Sequence, residues 1–185
     1  MNEQLEKIKD YAAKAHGDQR RKFADEPYIN HPVRVMNICF PYSPGDSMPA
    51  AALLHDVLED TAVTKEELSQ FLHSVFDQTT AAETMRLVED MTDIYTKQQY
   101  PQWNRRKRKA MELERMQKVS PDAQTIKYAD IIDNTLDLKN AEPDFARLFL
   151  FECKGLLKAM NDGNNELHQL AIKTVDDCIK VARNS

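Results

Sequence analysis

Four ionisable side chains, His55, Asp56, Glu59 and Asp60, fall within six residues of the stretch Ala50–Thr61, which reads A-A-A-L-L-H-D-V-L-E-D-T. An imidazole beside a carboxylate is a donor pair that binds a divalent metal, and carboxylates one helical turn further on are groups that take up a proton. Helical spacing of four puts His55 under Glu59 and Asp56 under Asp60, so the two pairs project as neighbouring tiers from one helix. Directly after Ala-Ala-Ala-Leu-Leu, such a cluster is costly in a core helix unless a metal or a polar site uses it. The plain alternative is a solvated helix face on which the histidine is incidental.

Two further segments carry groups of the same kind. His31 opens a helix after the turn Pro27-Tyr28-Ile29, and Asp130 closes Lys127-Tyr128-Ala129-Asp130 inside another apolar helical run. Asn134, four residues on, shares the Asp130 face. Together His31, His55, Asp56 and Asp130 would give a mixed nitrogen–oxygen set for one divalent metal. That set suits Mn²⁺, Fe²⁺ or Zn²⁺ better than Ca²⁺, and without thiolates it is not a structural zinc site. Singly, His31 also reads as a helix-capping imidazole and Asp130 as a solvent-facing acid. His16, His73 and His168 lie outside any cluster and receive no role.

The elements that must position these groups are helical. Glu3–His16 repeats its apolar residues every three or four positions and stops at Gly17. Asp18–Pro27 is a polar loop, and a helix follows from Asn30 through Cys39. Pro41–Asp46 breaks it. The helix bearing the cluster is expected to run unbroken from near Ser47 to about Thr61. Thr64 and Glu67 form a capping-box pair. Further helices are expected over Thr80–Met91, Gln102–Val119, from Pro121 through Leu138, over Pro143–Met160 and over Asn165–Arg183, with Pro121 in the first-turn position. No alternating run argues for a strand, so the pattern predicts one all-α domain of about eight to ten helices.

The 185 residues, 42% hydrophobic and 30% charged, match a soluble globular protein with its own core. Cys39, Cys153 and Cys178 are too irregularly spaced for a zinc knuckle or a disulfide framework, which points to reduced thiols and a cytoplasmic location. The N-terminus lacks a signal-peptide core, and no stretch is long enough to span a bilayer. A net charge of −5 excludes a general nucleic-acid binder. Positive charge is nonetheless gathered at Arg20–Lys22 and Arg105–Lys109. The first run fits capture of a small anion. The second could line a phosphate cleft or form a solvated helix face.

The order His31, then His55-Asp56, then Asp130 resembles the HD-domain metal-dependent phosphohydrolases. Arg20-Arg21-Lys22, Pro27-Tyr28-Ile29-Asn30-His31-Pro32, His55-Asp56-Val57-Leu58-Glu59-Asp60-Thr61 and Lys127-Tyr128-Ala129-Asp130 with Asn134 narrow the likeness to the small alarmone hydrolases, free-standing relatives of the RelA/SpoT hydrolase half. The resemblance implies a single HD-type helical bundle over residues 1–185, with the chemistry within 20–134 and packing helices over 142–183. It implies bound Mn²⁺ and hydrolysis of guanosine 3′,5′-bis(diphosphate) to GDP and pyrophosphate. In this sequence His31, His55, Asp56 and Asp130 match the metal ligands, and Glu59 and Asp60 match the pair that orients and deprotonates water. Arg20 or Arg21, Lys22 and Asn134 match positions that hold the nucleotide, with Lys97 a further contact and Tyr28 a ring for base stacking or core packing. The chain departs from the family at Phe23–Glu26, where a glycine is usual, at Ile131, where a basic residue is common, and in a slightly short His31–His55 interval. A chain ending at Ser185 is expected to carry no synthetase segment. The remaining alternatives are a hydrolase of another nucleotide, either an adenosine alarmone or a 5′-nucleotide, and a non-catalytic nucleotide-binding module.

Overall fold

A computed structural model describes the backbone of residues 2–184 and the side chains of residues 2–181. Among the described residues the elements are helical, apart from an isolated bridge between Arg20 and Pro27. The first of two compact units runs to Thr92 and holds α1 (Glu3–His16), α2 (Asn30–Cys39), α3 (Ser47–Leu54), α4 (Val57–Asp60), α5 (Lys65–Val75) and α6 (Gln78–Met91). The second, from Asp93, holds α7 (Arg105–Met116), α8 (Pro121–Leu136), α9 (Pro143–Ala159) and α10 (Asn165–Asn184). No described helix is long and apolar enough to cross a membrane.

The first unit is organised around α3. Met48 through Leu54 are all buried, as expected of a helix that is apolar on every side. α1, α2 and α6 pack against it. Local chemistry fixes the surrounding ends. Asn2 caps α1 by accepting from the Leu5 amide, and Gly17 closes it at φ 53°, a left-handed value that glycine takes without strain. Thr64 and Glu67 form the expected capping box on α5. α6 begins at Gln78, two residues ahead of the expected start at Thr80, because the Asp77 carboxylate accepts from the Thr79 and Thr80 amides.

In the second unit α8 is the buried element, with α9 and α10 packed on it and α7 packed on α9. Ser120 caps it and Pro121 occupies its first turn, as expected. α8 ends at Leu136 and a 3-10 turn takes Asp137–Asn140. At Gly163 an added Cβ would stand 2.6 Å from Tyr128 Cε2 and 2.9 Å from the Thr125 nitrogen, so the turn before α10 admits only glycine. α7 begins at Arg105 under an Asn104 cap, not at Gln102. Glu112 in α7 is buried although charged. It pairs with Arg115 and accepts the Ile94 and Tyr95 amides at 3.2 and 3.3 Å, which ties down the loop before α7.

One expected element is corrected. The helix predicted from Ser47 to Thr61 ends at Leu54, and a separate turn of helix follows over Val57–Asp60. The His55 ring nitrogen Nδ1 lies 2.8 Å from the Ala52 carbonyl, the acceptor that the Asp56 amide would use in an unbroken helix. Asp56 then sits at φ −96°, ψ −7°, a bridge conformation common in functional residues.

Candidate metal centre

The break places the cluster. His55 closes α3, Asp56 leads into α4, and His31 stands in the first turn of α2, where its amide meets the Tyr28 carbonyl at 3.0 Å. His31 and His55 are 1% and 2% exposed. Their Nε2 atoms lie 3.5 and 3.2 Å from the same oxygen, Asp56 Oδ2. One donor atom from each of the three residues falls within 4.8 Å of the other two.

Two buried imidazoles and a carboxylate converging at that spacing form a donor set suited to a divalent cation. The tautomer agrees. With His55 Nδ1 donating to the Ala52 carbonyl, Nε2 keeps its lone pair for a cation, the arrangement by which a backbone carbonyl orients a ligating histidine.

Tyr28 connects this set to Asp60 of α4, a role that neither base stacking nor core packing anticipates. Its hydroxyl lies 2.7 Å from Asp56 Oδ2 and 2.8 Å from Asp60 Oδ2. One phenolic hydrogen thus serves two acids. Burial and the adjacent charges of Asp56 and Asp60 push the phenol far above its ordinary range. Asp60 is also raised, by desolvation of its carboxyl and by the Asp56 charge, with the Tyr28 hydrogen bond pulling the other way. A carboxylate whose pKa is raised is a stronger base than an ordinary one.

His16, left without a role on sequence grounds, is buried against this group. Its ring stacks on Tyr28 at 4.5 Å, and Nδ1 meets Gln19 Oε1 at 2.9 Å. Gln19 in turn donates to the Asp60 carbonyl at 2.7 Å. The signal was present in the sequence, because His16 ends α1 on the same face as buried Leu5, Ile8 and Ala12.

The remaining expected site residues are placed as follows. Glu59 and Asp60 both lie on α4 with exposed side chains. Arg20 is held by Asp25, at 3.1 Å from its Nε. Arg21 lies over the Tyr28 ring and Lys22 over Phe23. The acids of the glycine-free Phe23–Glu26 loop are thus engaged locally, Asp25 by Arg20 and Glu26 by Arg34 at 2.7 Å and Asn30 at 2.9 Å.

In the second unit Asp130 is 5% exposed, so it is not a solvent-facing acid. Its oxygens meet Lys127 at 2.8 Å and Asn134 at 2.6 Å. Lys97 is exposed in the loop before α7. Most of the basic run is used within that unit: Arg105 on Glu152, Lys109 on Asp93, Lys107 over Trp103, and Arg108 on the Trp103 carbonyl.

Comparison with known proteins gives consistent likenesses. A family model described as HD domain matches residues 9–154. Over 145 residues the chain is 37% identical to human guanosine-3′,5′-bis(diphosphate) 3′-pyrophosphohydrolase MESH1, covering 76% of this chain and 73% of that protein. The Drosophila melanogaster protein of the same name is 33% identical over 136 residues, 72% of this chain and 68% of that one. A solved structure reported as a metazoan ortholog of SpoT that hydrolyzes ppGpp and plays a role in starvation responses superposes with a TM-score of 0.78 at 25% identity. That match covers 98% of this chain and 96% of the other.

Proposed function

The chain belongs to the HD-domain family, on the branch of the MESH1-type guanosine-3′,5′-bis(diphosphate) 3′-pyrophosphohydrolases, and on that premise we propose that it removes the 3′-diphosphate of guanosine 3′,5′-bis(diphosphate). The products are GDP and pyrophosphate. The observation that supports the reading is the convergence of His31, His55 and Asp56 donor atoms within 4.8 Å, with the Asp60 carboxylate of α4 tied to Asp56 through Tyr28. A pure binding module has no use for a base in that position.

In this reading His31, His55, Asp56 and Asp130 would hold Mn²⁺, and residues 1–185 act as one cytoplasmic HD phosphohydrolase domain on a small nucleotide, with no nucleic acid or membrane partner. A bound divalent metal lowers the pKa of water and offsets charge on the phosphoryl group. The protein's own groups supply the rest. Asp60 takes the proton from the attacking water, its raised basicity suited to the task, and Glu59 orients the same water. Tyr28 and the Gln19 contact to the Asp60 carbonyl hold that carboxylate in place. Arg20, Arg21 and Lys22 receive the diphosphate, which exchanges with Asp25 at Arg20; an exposed pair of that kind gives way at little cost. Asn134 and Lys97 complete the nucleotide contacts.

The test is product identity. Incubation of guanosine 3′,5′-bis(diphosphate) with the protein and Mn²⁺ is expected to release pyrophosphate and GDP. Release of single phosphate, or no turnover while an adenosine alarmone or a 5′-nucleotide is hydrolysed, would overturn the substrate assignment.

A further inference from the structure

We propose that the second unit carries a binding site for an amphipathic monoanion, an acyl-type apolar body ending in one carboxylate. A cavity of about 600 Å³ is lined chiefly by α7 and α9. That volume lies within the roughly 300–1,000 Å³ typical of small-molecule sites. Its walls include Leu113, Met116, Leu148, Phe151 and Leu156. Phe151 is 76% exposed and Leu148 46%, so the apolar lining continues outward to solvent.

Gly155 adds an independent observation. It sits inside α9 and lines the cavity, although glycine is a poor helix residue. Crowding does not require it, because an added Cβ would meet only Leu113 Cδ1, at an ordinary 3.6 Å. The missing side chain therefore keeps space open between α7 and α9.

Charge selects the class of ligand. The lining holds four cations, Arg105, Arg106, Lys109 and Lys127, and three acids, Asp93, Glu112 and Glu152. Arg105 forks onto both Glu152 oxygens at 2.8 and 2.6 Å. Lys109 meets Asp93 at 3.1 Å, Lys127 meets Asp130 at 2.8 Å, and Glu112 is held by Arg115. Among the described residues these pairs leave Arg106 as the cation over, and one carboxylate matches it without breaking any pair. A polyphosphate would have to break several, and the apolar walls offer little to a ribose. The occupant is therefore mostly hydrocarbon with a single negative end.

The test is titration of the whole protein with cis-parinarate, a fatty acid whose fluorescence rises in apolar surroundings. Saturable enhancement is expected, with decanoate displacing the probe and decanol doing so much less well. Gly155→Leu fills the cavity and Arg106→Gln removes the cation; each is expected to weaken binding by about tenfold or more. Should Gly155→Leu fail to fold, Leu113→Trp fills the same space from α7. The proposal is overturned by the absence of saturable enhancement, by a folded cavity-filling variant that binds like the parent, or by decanol competing as well as decanoate. It is equally overturned if sedimentation shows a dimer that Phe151→Asp dissolves, for then a second copy covers this face. None of these readouts depends on the hydrolase assignment.

Discussion

Asp56 and Asp130 are both carboxylates set in apolar helical surroundings, and what meets them differs. Asp56 lies at a break between α3 and α4, and its Oδ2 faces two imidazoles and a phenol. Asp130 lies in the unbroken α8, and its oxygens meet an ammonium and an amide from the same helix face: Lys127 three residues back and Asn134 four residues on. The first group gathers electron-pair donors about one point and asks for a cation. The second faces an ammonium, which must give way before Asp130 can join the other three ligands. Apolar helices thus admit an acid either by preparing it for a ligand or by neutralising it in place.

Variants can break or sharpen this contrast, beginning with the largest effect. Asp60→Asn is expected to lower pyrophosphate release by about 10²–10⁴-fold, as the loss of a general base does, while Mn²⁺ affinity stays near that of the parent. Loss of both would make Asp60 a ligand. Tyr28→Phe keeps the ring against His16 and removes the hydroxyl shared by Asp56 and Asp60. Metal affinity or turnover is expected to fall about 10–100-fold, as for other residues that orient ligands; an unchanged kcat and Mn²⁺ titration would show the hydroxyl to be dispensable.

Stability distinguishes the second acid. Lys127→Met removes the ammonium that faces buried Asp130, and urea unfolding is expected to show a loss of about 3 kcal/mol. If Asp130 is also a metal ligand, saturating Mn²⁺ stabilises the variant by more than it stabilises the parent, because the carboxylate no longer has an ammonium competing for it. An equal gain in the two proteins would confine Asp130 to a structural pair. Gly163→Ala, which forces a Cβ against Tyr128 and Thr125, is expected to cost about 1–3 kcal/mol in the same assay. A loss below a few tenths would mean the turn relaxes freely.

Much of this was legible because it is local. The Thr64–Glu67 box, the Ser120-Pro121 start and the Gly17 stop depend on residues within a few positions of one another, and each appears where the spacing predicts. The all-helical character followed from apolar periodicity alone. The break at His55 was not legible, because Ala50–Asp60 holds no glycine or proline and every residue in it tolerates a helix. What stops α3 is a side chain taking a backbone carbonyl, which propensity does not encode. His16, Gln19 and the hydroxyl contacts of Tyr28 were missed for a different reason. Their partners lie up to 41 residues away, and only tertiary packing brings them together. The basic run shows the converse. Its composition suggested an anion site, yet Arg105 and Lys109 are matched by Glu152 and Asp93, 47 and 16 residues off.

The central claim is that His31, His55 and Asp56 hold the metal on which hydrolysis depends. The most direct test is a calorimetric Mn²⁺ titration of metal-stripped wild type and Asp56→Ala, read beside pyrophosphate release from guanosine 3′,5′-bis(diphosphate) by the same samples. The account predicts stoichiometric binding and metal-dependent release by wild type, with both abolished in a folded Asp56→Ala. Full release by the metal-stripped protein, or undiminished Mn²⁺ binding by Asp56→Ala, would contradict it.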